Sequence, residues 1–537
     1  MKGAQSRGAL DFEAVRGLLA QHAAAYTDGV EPGLAFTLLH RGLPVLSEFH
    51  GFANIEHRVR LGPQTRLQLA SMSKQFTAAG LVMLAHQGRM SLDEPIGTWL
   101  RDLPPSLAAF TARDLLAMRT GLPEAGHLSW LVAGHPHHAW RSHHNVVETL
   151  KGCAHRNHTP GGRDLYSNSN YILAQMLGEA VTGWPWRDVL QALIFAPLGM
   201  QRSGLIDNAR LSLPDLATAY RPVAGGFERC MWPVEDGAPA GVVSTIEDMQ
   251  RWLAALRHNT VLQPPELPEL LAADRPLASG GSSCYRLGLR QGELFGRRVR
   301  GHAGSVPGFK TEYLWFPDED VVLLLLANRE DVHENLLLSR LAGALFGEPA
   351  WPEDPPAALA PRCGVFVDAV RGRVLDVDHD AGMLHSDLVH FICDGQNSYR
   401  SANPFHPRQL VFSQDGNAVV SVDLDGPIEY QRGQVTPLTG EAAIRCTGVF
   451  GAPGVPAEIE LRIGSDGSLR FATGPRGVLR SQWHVGQLTP DLLVLGDAPG
   501  QHSMSTVRLH RGPDGELVSI VLNGYRLYDL VLHRLGT

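Results

Sequence analysis

The sequence is short of lysine, has no paired cysteines, and carries no long apolar run. Each shortage closes off a class of protein. Of the 47 Lys and Arg residues only Lys2, Lys74, Lys151 and Lys310 are lysines, so chemistry that needs an amine has few candidates. The six cysteines, Cys153, Cys230, Cys284, Cys363, Cys393 and Cys446, stand far apart with no CxxC pair. That pattern fits reduced thiols in a cytoplasmic protein better than a disulfide framework. The longest apolar run, Val321–Ala327, is strand-sized, far below the roughly 20 residues of a membrane span. The stretch from Met1 to Glu31 holds no apolar core of a secretory signal. The net charge of −8 is spread over 537 residues without a basic stripe, which argues against a nucleic-acid partner.

What is present is ordinary globular material, 44% hydrophobic and 19% charged, enough for three or four domains at about 150 residues each. One composition break divides it. Gly347–Pro361 reads GEPAWPEDPPAALAP, and so many prolines remove backbone donors and predict a linker. Before it, strands and helices mix. Gly33–His40 and Leu43–Gly51 flank Arg41-Gly42 as a hairpin, Ser71–Gly88 has helical spacing, and Leu336–Phe346 reads as a final helix. Strands near both ends with helices between them predict an α+β domain whose sheet is closed by its two termini. After the linker, short apolar stretches alternate with turn pairs such as Asp415-Gly416 and Asp466-Gly467, the pattern of antiparallel β structure. Gly364-Val365-Phe366 and Gly448-Val449-Phe450 open similar segments. Two small barrels are expected, with one larger β domain as the alternative. The expected division is 1–346 for the catalytic domain, 347–361 for the linker, 362–440 for the first barrel and 441–537 for the second.

Three local patterns carry chemistry. Ser71-Met72-Ser73-Lys74 opens a predicted helix. Residues three apart share a helix face, so the hydroxyl and the amine can meet. A serine becomes a nucleophile when a neighbouring base takes its proton. Tyr166-Ser167-Asn168 follows Pro160-Gly161-Gly162; a phenol at such a turn can shuttle a proton and an amide can hold a carbonyl. Gly301-His302-Ala303-Gly304-Ser305 offers small residues beside which a ligand can approach a strand, with His302 able to supply charge or a hydrogen bond. Each pattern alone is weak. Ser71-x-x-Lys74 fits a capped surface helix, Tyr166 a half-buried aromatic, and His302 an incidental turn histidine.

In order, the three resemble the serine β-lactamase and penicillin-recognising hydrolase superfamily, in its class C-like branch. LQLASMSKQFTA (Leu67–Ala78), SLDEP (Ser91–Pro95), LLAMRTGLP (Leu115–Pro123), YSNSNY (Tyr166–Tyr171) and GVVSTIED (Gly241–Asp248) are similar to that branch as well. The resemblance spans about residues 10–346. It implies a β-lactamase-like or DD-peptidase core and no cofactor. It makes Ser71 the acyl-forming nucleophile and Lys74 its base, and it has Tyr166 pass protons and Asn168 orient the substrate amide. His302 then lends electrostatic support on the strand of Gly304, and the backbone N–H groups of Ser71 and Ser305 form the oxyanion hole. There is no G-x-S-x-G elbow, which disfavours an α/β-hydrolase.

The plan of core, Pro-rich linker and two barrels is similar to bacterial D-aminopeptidases of this superfamily. In those enzymes a loop of the last barrel enters the active site with an Asp that pairs with the substrate's free ammonium. The resemblance places that role on Asp497, in LLVLGDAPG (Leu492–Gly500). The bland reading of Asp497 is a solvated turn residue. Arg290 departs from the family pattern, where a neutral amide is expected; it either binds a substrate carboxylate or faces solvent. The implied partner is a small peptide or an amino-acid amide or ester, with a homodimer left open. An esterase, a DD-carboxypeptidase, a β-lactamase-like hydrolase and a non-catalytic peptide sensor are the competing readings. The histidine-rich stretch of His135, His137, His138, His143, His144, His155 and His158 has no HExxH and no Cys pair, so a variable surface loop and no metal are expected.

Overall fold

The computed structural model describes residues 9–26, 29–124, 126–128, 143–153, 155–208, 212–230, 237–274, 276–278, 283–386, 389–423, 426–452, 458–474, 481–496, 505–524 and 526–535. The core is built on a six-stranded antiparallel sheet. Its strands are β1 (Leu34–His40), β2 (Leu43–His50), β3 (Arg290–Leu294), β4 (Arg297–Val306), β5 (Phe309–Phe316) and β6 (Val321–Ala327), in the order β3-β4-β5-β6-β1-β2. The early hairpin β1–β2 pairs with the late strand β6, Leu34 opposite Ala327 and His40 opposite Val321, so the two ends of the core close its sheet as expected. The β1–β2 turn has Arg41 at φ 54° and Gly42 at φ 78°, two left-handed residues that match the twist of a two-residue hairpin.

The all-apolar β6 is buried on both faces, as a central strand must be. Leu323, Leu325 and Ala327 pack with α1 (Phe12–Ala23) and the last core helix, α4 (Glu334–Phe346), through Val15, Leu19, Leu338 and Leu341. Val322, Leu324 and Leu326 face the larger core that holds α2 (Lys74–His86) and α3 (Asn168–Thr182), with Phe76, Tyr171 and Trp252. Each such leucine contributes about 1.5–3 kcal/mol.

The Pro-rich segment is not wholly irregular. A short helical turn, Pro356–Leu359, lies within it with proline at its start, where the missing N–H is one that no helix uses anyway. Beyond it, eight strands from Gly364–Asp368 to Gly426–Arg432 close into an antiparallel barrel around Phe366, Phe391, Leu410 and Phe412. A second barrel runs from Gly448–Gly451 to Leu527–Arg534 and closes where Ser481–Thr489 pairs with Leu492–Gly496. The fold is therefore an α+β core followed by two small antiparallel barrels. Among the described residues no helix is long and apolar enough to cross a membrane.

Both barrels touch the core. The edge strand β3 lies so close to the first barrel that a Cβ on Gly292 would sit 2.0 Å from the Pro404 carbonyl. The second barrel reaches in with its last hairpin: Asn157 Nδ2 donates to Arg526 O at 3.0 Å, and Tyr528 N donates to Asn157 Oδ1 at 2.9 Å. The ring of His155 joins this seam, 2.7 Å from Tyr528 O.

Candidate active site

Ser71 sits in a 3-10 turn, Ala70–Ser73, that leads directly into α2. The residue before it, Ala70, has φ 49°, a left-handed conformation that a side chain disfavours and that marks stored strain at functional turns. The turn is held from outside: Leu69 N donates to Val242 O, and Val242 N donates to Ser73 Oγ at 2.9 Å. The three-residue spacing then does what the sequence predicts. The fully buried Lys74 places Nζ 3.1 Å from Ser71 Oγ and 2.7 Å from Pro239 O.

Above this pair lies Tyr166, its ring centroid 4.8 Å from Lys74 Nζ. Its turn is pinned to the loop Thr120–Glu124: Ser167 Oγ and Ser169 Oγ both donate to Pro123 O, and Thr120 Oγ1 donates to Asn170 Oδ1 at 2.6 Å. The phenol oxygen is buried and makes no hydrogen bond of normal geometry among the described residues. Burial raises the Tyr166 pKa from its ordinary value of 10, against the opposing pulls of Arg526, the Ser71 hydroxyl and Arg290. The phenol is therefore protonated at neutral pH. Asn168 begins α3, its N–H donating to Glu124 Oε2 at 2.7 Å, and its side-chain carbonyl is buried without a partner among the described residues.

The third wall is β4. Gly304 allows the strand to touch the Ser71 turn: a Cβ there would meet Leu69 O at 2.3 Å and Thr311 Oγ1 at 2.4 Å. Ser305, next along, is exposed and its hydroxyl accepts from Lys310 Nζ at 2.8 Å. His302 is 2% exposed. Burial, then the fields of Arg290 and Lys74, hold its pKa well below the usual 6.5, so the ring is neutral. Its Nδ1 lies 2.6 Å from Ala303 O, which can only accept, so Nδ1 carries the proton and Nε2 accepts from Tyr285 OH at 3.2 Å. Of the two roles the sequence leaves to His302, charge or a hydrogen bond, the geometry supports the second.

Arg290 does not extend into solvent. Its guanidinium lies 5.3 Å from the ring centres of both Tyr166 and Tyr285 and donates to Phe405 O of the first barrel at 3.2 Å. The structure thus brings Ser71, Lys74, Tyr166, Asn168, His302, Gly304 and Arg290 into one place. Asp497 lies outside the described residues, as do His135, His137, His138 and the side chains of His143 and His144.

Three participants escape the sequence reading. Tyr285 orders His302. Glu124, 7% exposed, puts a carboxylate beside the Tyr166 turn; it directly follows the quoted LLAMRTGLP. Arg526, from the last hairpin of the second barrel, lies 4.4 Å over the Tyr166 ring, and nothing in its neighbourhood in sequence marks it.

Against known proteins, the model of the family described as Beta-lactamase matches residues 16–345. A D-aminopeptidase of Brucella canis is 28% identical over 327 residues, 60% of this chain and 61% of that protein, so the match spans less than two thirds of the relative. Among solved structures, D-amino acid amidase from Ochrobactrum anthropi SV3, complexed with D-phenylalanine, is 26% identical with TM-score 0.52, covering 62% of this chain and 98% of that one. An octameric penicillin-binding protein homologue from Pyrococcus abyssi, 18% identical with TM-score 0.57, covers 78% of this chain and all of that one, a likeness of fold alone.

Proposed function

The chain belongs to the beta-lactamase family, and from that membership and its site geometry we propose that it is a D-stereospecific serine aminopeptidase, acting on N-terminal D-residues of small peptides, amides or esters. The observation that carries the reading is the buried Lys74 amine 3.1 Å from the Ser71 hydroxyl, beneath a phenol held protonated. Relatives named for D-amino-acid substrates support the substrate class.

In this proposal Ser71 Oγ attacks the substrate carbonyl while Lys74, as its base, takes the proton. The carbonyl oxygen gathers charge against the backbone N–H groups of Ser71 and Ser305, each such donor being worth about 2.7–4 kcal/mol in the transition state. Because Tyr166 rests as a phenol, it is the donor: it protonates the leaving amine and is resupplied from Lys74. The acyl group remains as an ester on Ser71 until a water, activated by the same pair in reverse, releases the acid. Asn168 orients the substrate amide, and the neutral His302 acts through Tyr285. Asp497 is proposed to receive the substrate's free ammonium, replacing the water that the amine loses on entry.

Arg290 and Arg526, both against Tyr166, favour a second reading in which the substrate presents a carboxylate, as a carboxypeptidase substrate does. Hydrolysis of D-alanine p-nitroanilide, its L isomer, the N-acetylated D form, a D-alanyl-D-alanine peptide with a free carboxylate, and nitrocefin separates the two. The first reading requires D over L and free amine over acetylated. Preference for the acetylated substrate, or for the peptide acid over its amide, transfers the case to the second. Asp497→Ala is expected to lose activity on free-amine substrates selectively; equal loss on blocked esters rejects its assigned role.

A further inference from the structure

Away from Ser71, a cluster of imidazoles sits where the core meets the first barrel. His333 directly precedes α4, while Asp380 ends the strand Arg373–Asp380 and His390 lies on the strand Val389–Gly395. One ligand atom from each lies within 4.8 Å of the other two. His333 Nε2 is 2.6 Å from Asp380 Oδ2, and His390 Nε2 is 3.7 Å from the same oxygen. The His333 and His390 rings meet edge to face with centroids 4.8 Å apart, and His385, directly across the ladder from His390, holds its ring 5.2 Å away.

We propose that His333, Asp380 and His390 bind one divalent transition metal of the zinc class, clipping the catalytic core to the first barrel. The proposal is independent of the hydrolase reading. Its second support, besides proximity, is His390 itself. The residue is 6% exposed, and its Nε2 is buried, aimed at Asp380, and without a hydrogen-bond partner among the described residues. A buried polar nitrogen without a hydrogen bond is costly, and a metal ion would satisfy it. Two imidazole nitrogens and one carboxylate oxygen suit zinc, cobalt or nickel, whereas magnesium and calcium take all-oxygen sites. A tetrahedral ion with bonds of about 2.0–2.1 Å holds its ligand atoms about 3.3 Å apart. The two distances to Asp380 bracket that value, so those two pairs move by about 0.7 and about 0.4 Å on loading. An imidazole ligates through an unprotonated nitrogen, so metal binding here competes with protons and weakens at low pH. The side chains of His333 and Asp380 are 46% and 48% exposed, which gives the ion an entry path and leaves room for a water as fourth ligand.

The consequence is mechanical. The same seam carries Ser339 Oγ donating to Ala402 O and Asn403 Nδ2 donating to Asn335 Oδ1 at 2.5 Å, and it continues to Phe405, whose carbonyl holds Arg290 against Tyr166.

The test uses the full chain, stripped with a chelator and desalted, then titrated with Zn²⁺ alone by calorimetry, beside His390→Gln, Asp380→Asn and the exposed-site variant His333→Gln. Any zinc taken by the histidine-rich stretch is common to all four proteins and subtracts. Wild type is expected to bind one equivalent more than each variant, or to bind it at least about 10-fold tighter. Its melting temperature should rise with zinc where the variants' do not, and Co²⁺ should give visible absorption bands in the wild type only. Zinc isotherms and melting shifts that are the same in wild type and His333→Gln, whose fold circular dichroism would verify, would overturn the site and leave an ion pair beside a hydrated histidine.

Discussion

At the scale of single residues, the site works by keeping its groups in chosen protonation states. Tyr166 is a protonated phenol because burial outweighs the cations around it, and His302 is a neutral ring because burial and the nearby cations act together. Tyr166→Phe keeps the ring stack and removes only the hydroxyl; hydrolysis of D-alanine p-nitroanilide is expected to fall about 10²–10⁴-fold in kcat, with an unchanged melting temperature. Ser71→Ala should abolish acylation, seen as loss of a covalent adduct in intact-mass spectra of the quenched reaction. A second pair of titrating residues lies under the sheet. Glu312 is fully buried with both oxygens unpaired among the described residues, and burial, with Glu334 adding to it, raises its pKa well above the usual 4.5; burial pushes Glu334 up to about 7. In the unfolded chain both ionise near 4.5, so the folded state binds more protons above that pH. Stability present at pH 4 is therefore lost as pH rises through 7. Glu312→Gln should raise the urea midpoint relative to wild type at pH 8 and leave it nearly unchanged at pH 4; a gain larger at pH 4 than at pH 8 contradicts this account.

At the scale of elements, two loops and one strand do the positioning. The strained Ala70, the Ser167–Pro123 tether and the close approach of β4 at Gly304 each set one wall of the cleft. Gly304→Ala forces β4 off the Ser71 turn. A stability loss of about 1–3 kcal/mol is expected, with a fall in kcat of roughly 10²-fold because the oxyanion donors shift; differential scanning calorimetry and steady-state kinetics read the two separately. These elements are also where the sequence is most legible. Three-residue spacing foretells the Ser71–Lys74 contact because a helical turn is local, and Val321–Ala327 announces a strand buried on both faces. What local pattern does not hold is contact between distant segments. Glu124 and Tyr285 enter the site through tertiary packing alone, and the helical turn at Pro356–Leu359 forms because proline disfavours only helix interiors. His333, Asp380, His385 and His390 come together across barrel strands and a helix start, a grouping without linear spacing, whereas the conspicuous histidine run from His135 to His158 contributes His155 to a domain seam.

At the scale of the molecule, the two barrels are part of the site's architecture. The first holds Arg290 from one side, and the second sends Arg526 over Tyr166 from the other. The second barrel reaches the cleft with its last hairpin and through a cation, Arg526, whereas the expected entry of the Asp497 loop falls on residues outside the described ones. Asn157→Ala removes two of the hydrogen bonds that tie this hairpin to the core, at a cost of about 1–3 kcal/mol. The ratio of activity on free-amine to N-acetylated D-alanine p-nitroanilide is expected to fall in this variant, while turnover of a small blocked ester stays near wild type. An unchanged ratio would mean the barrel plays no part in selecting substrates.

The span of that tether has a further consequence. Asn157 and Arg526 are 369 residues apart, so during synthesis Ser71 and Lys74 are in place long before the hairpin that lays Arg526 over Tyr166 leaves the ribosome. A nascent chain arrested after the core would carry the cleft without Arg526, and under the proposed function its selection of substrates would arrive only with the final strands.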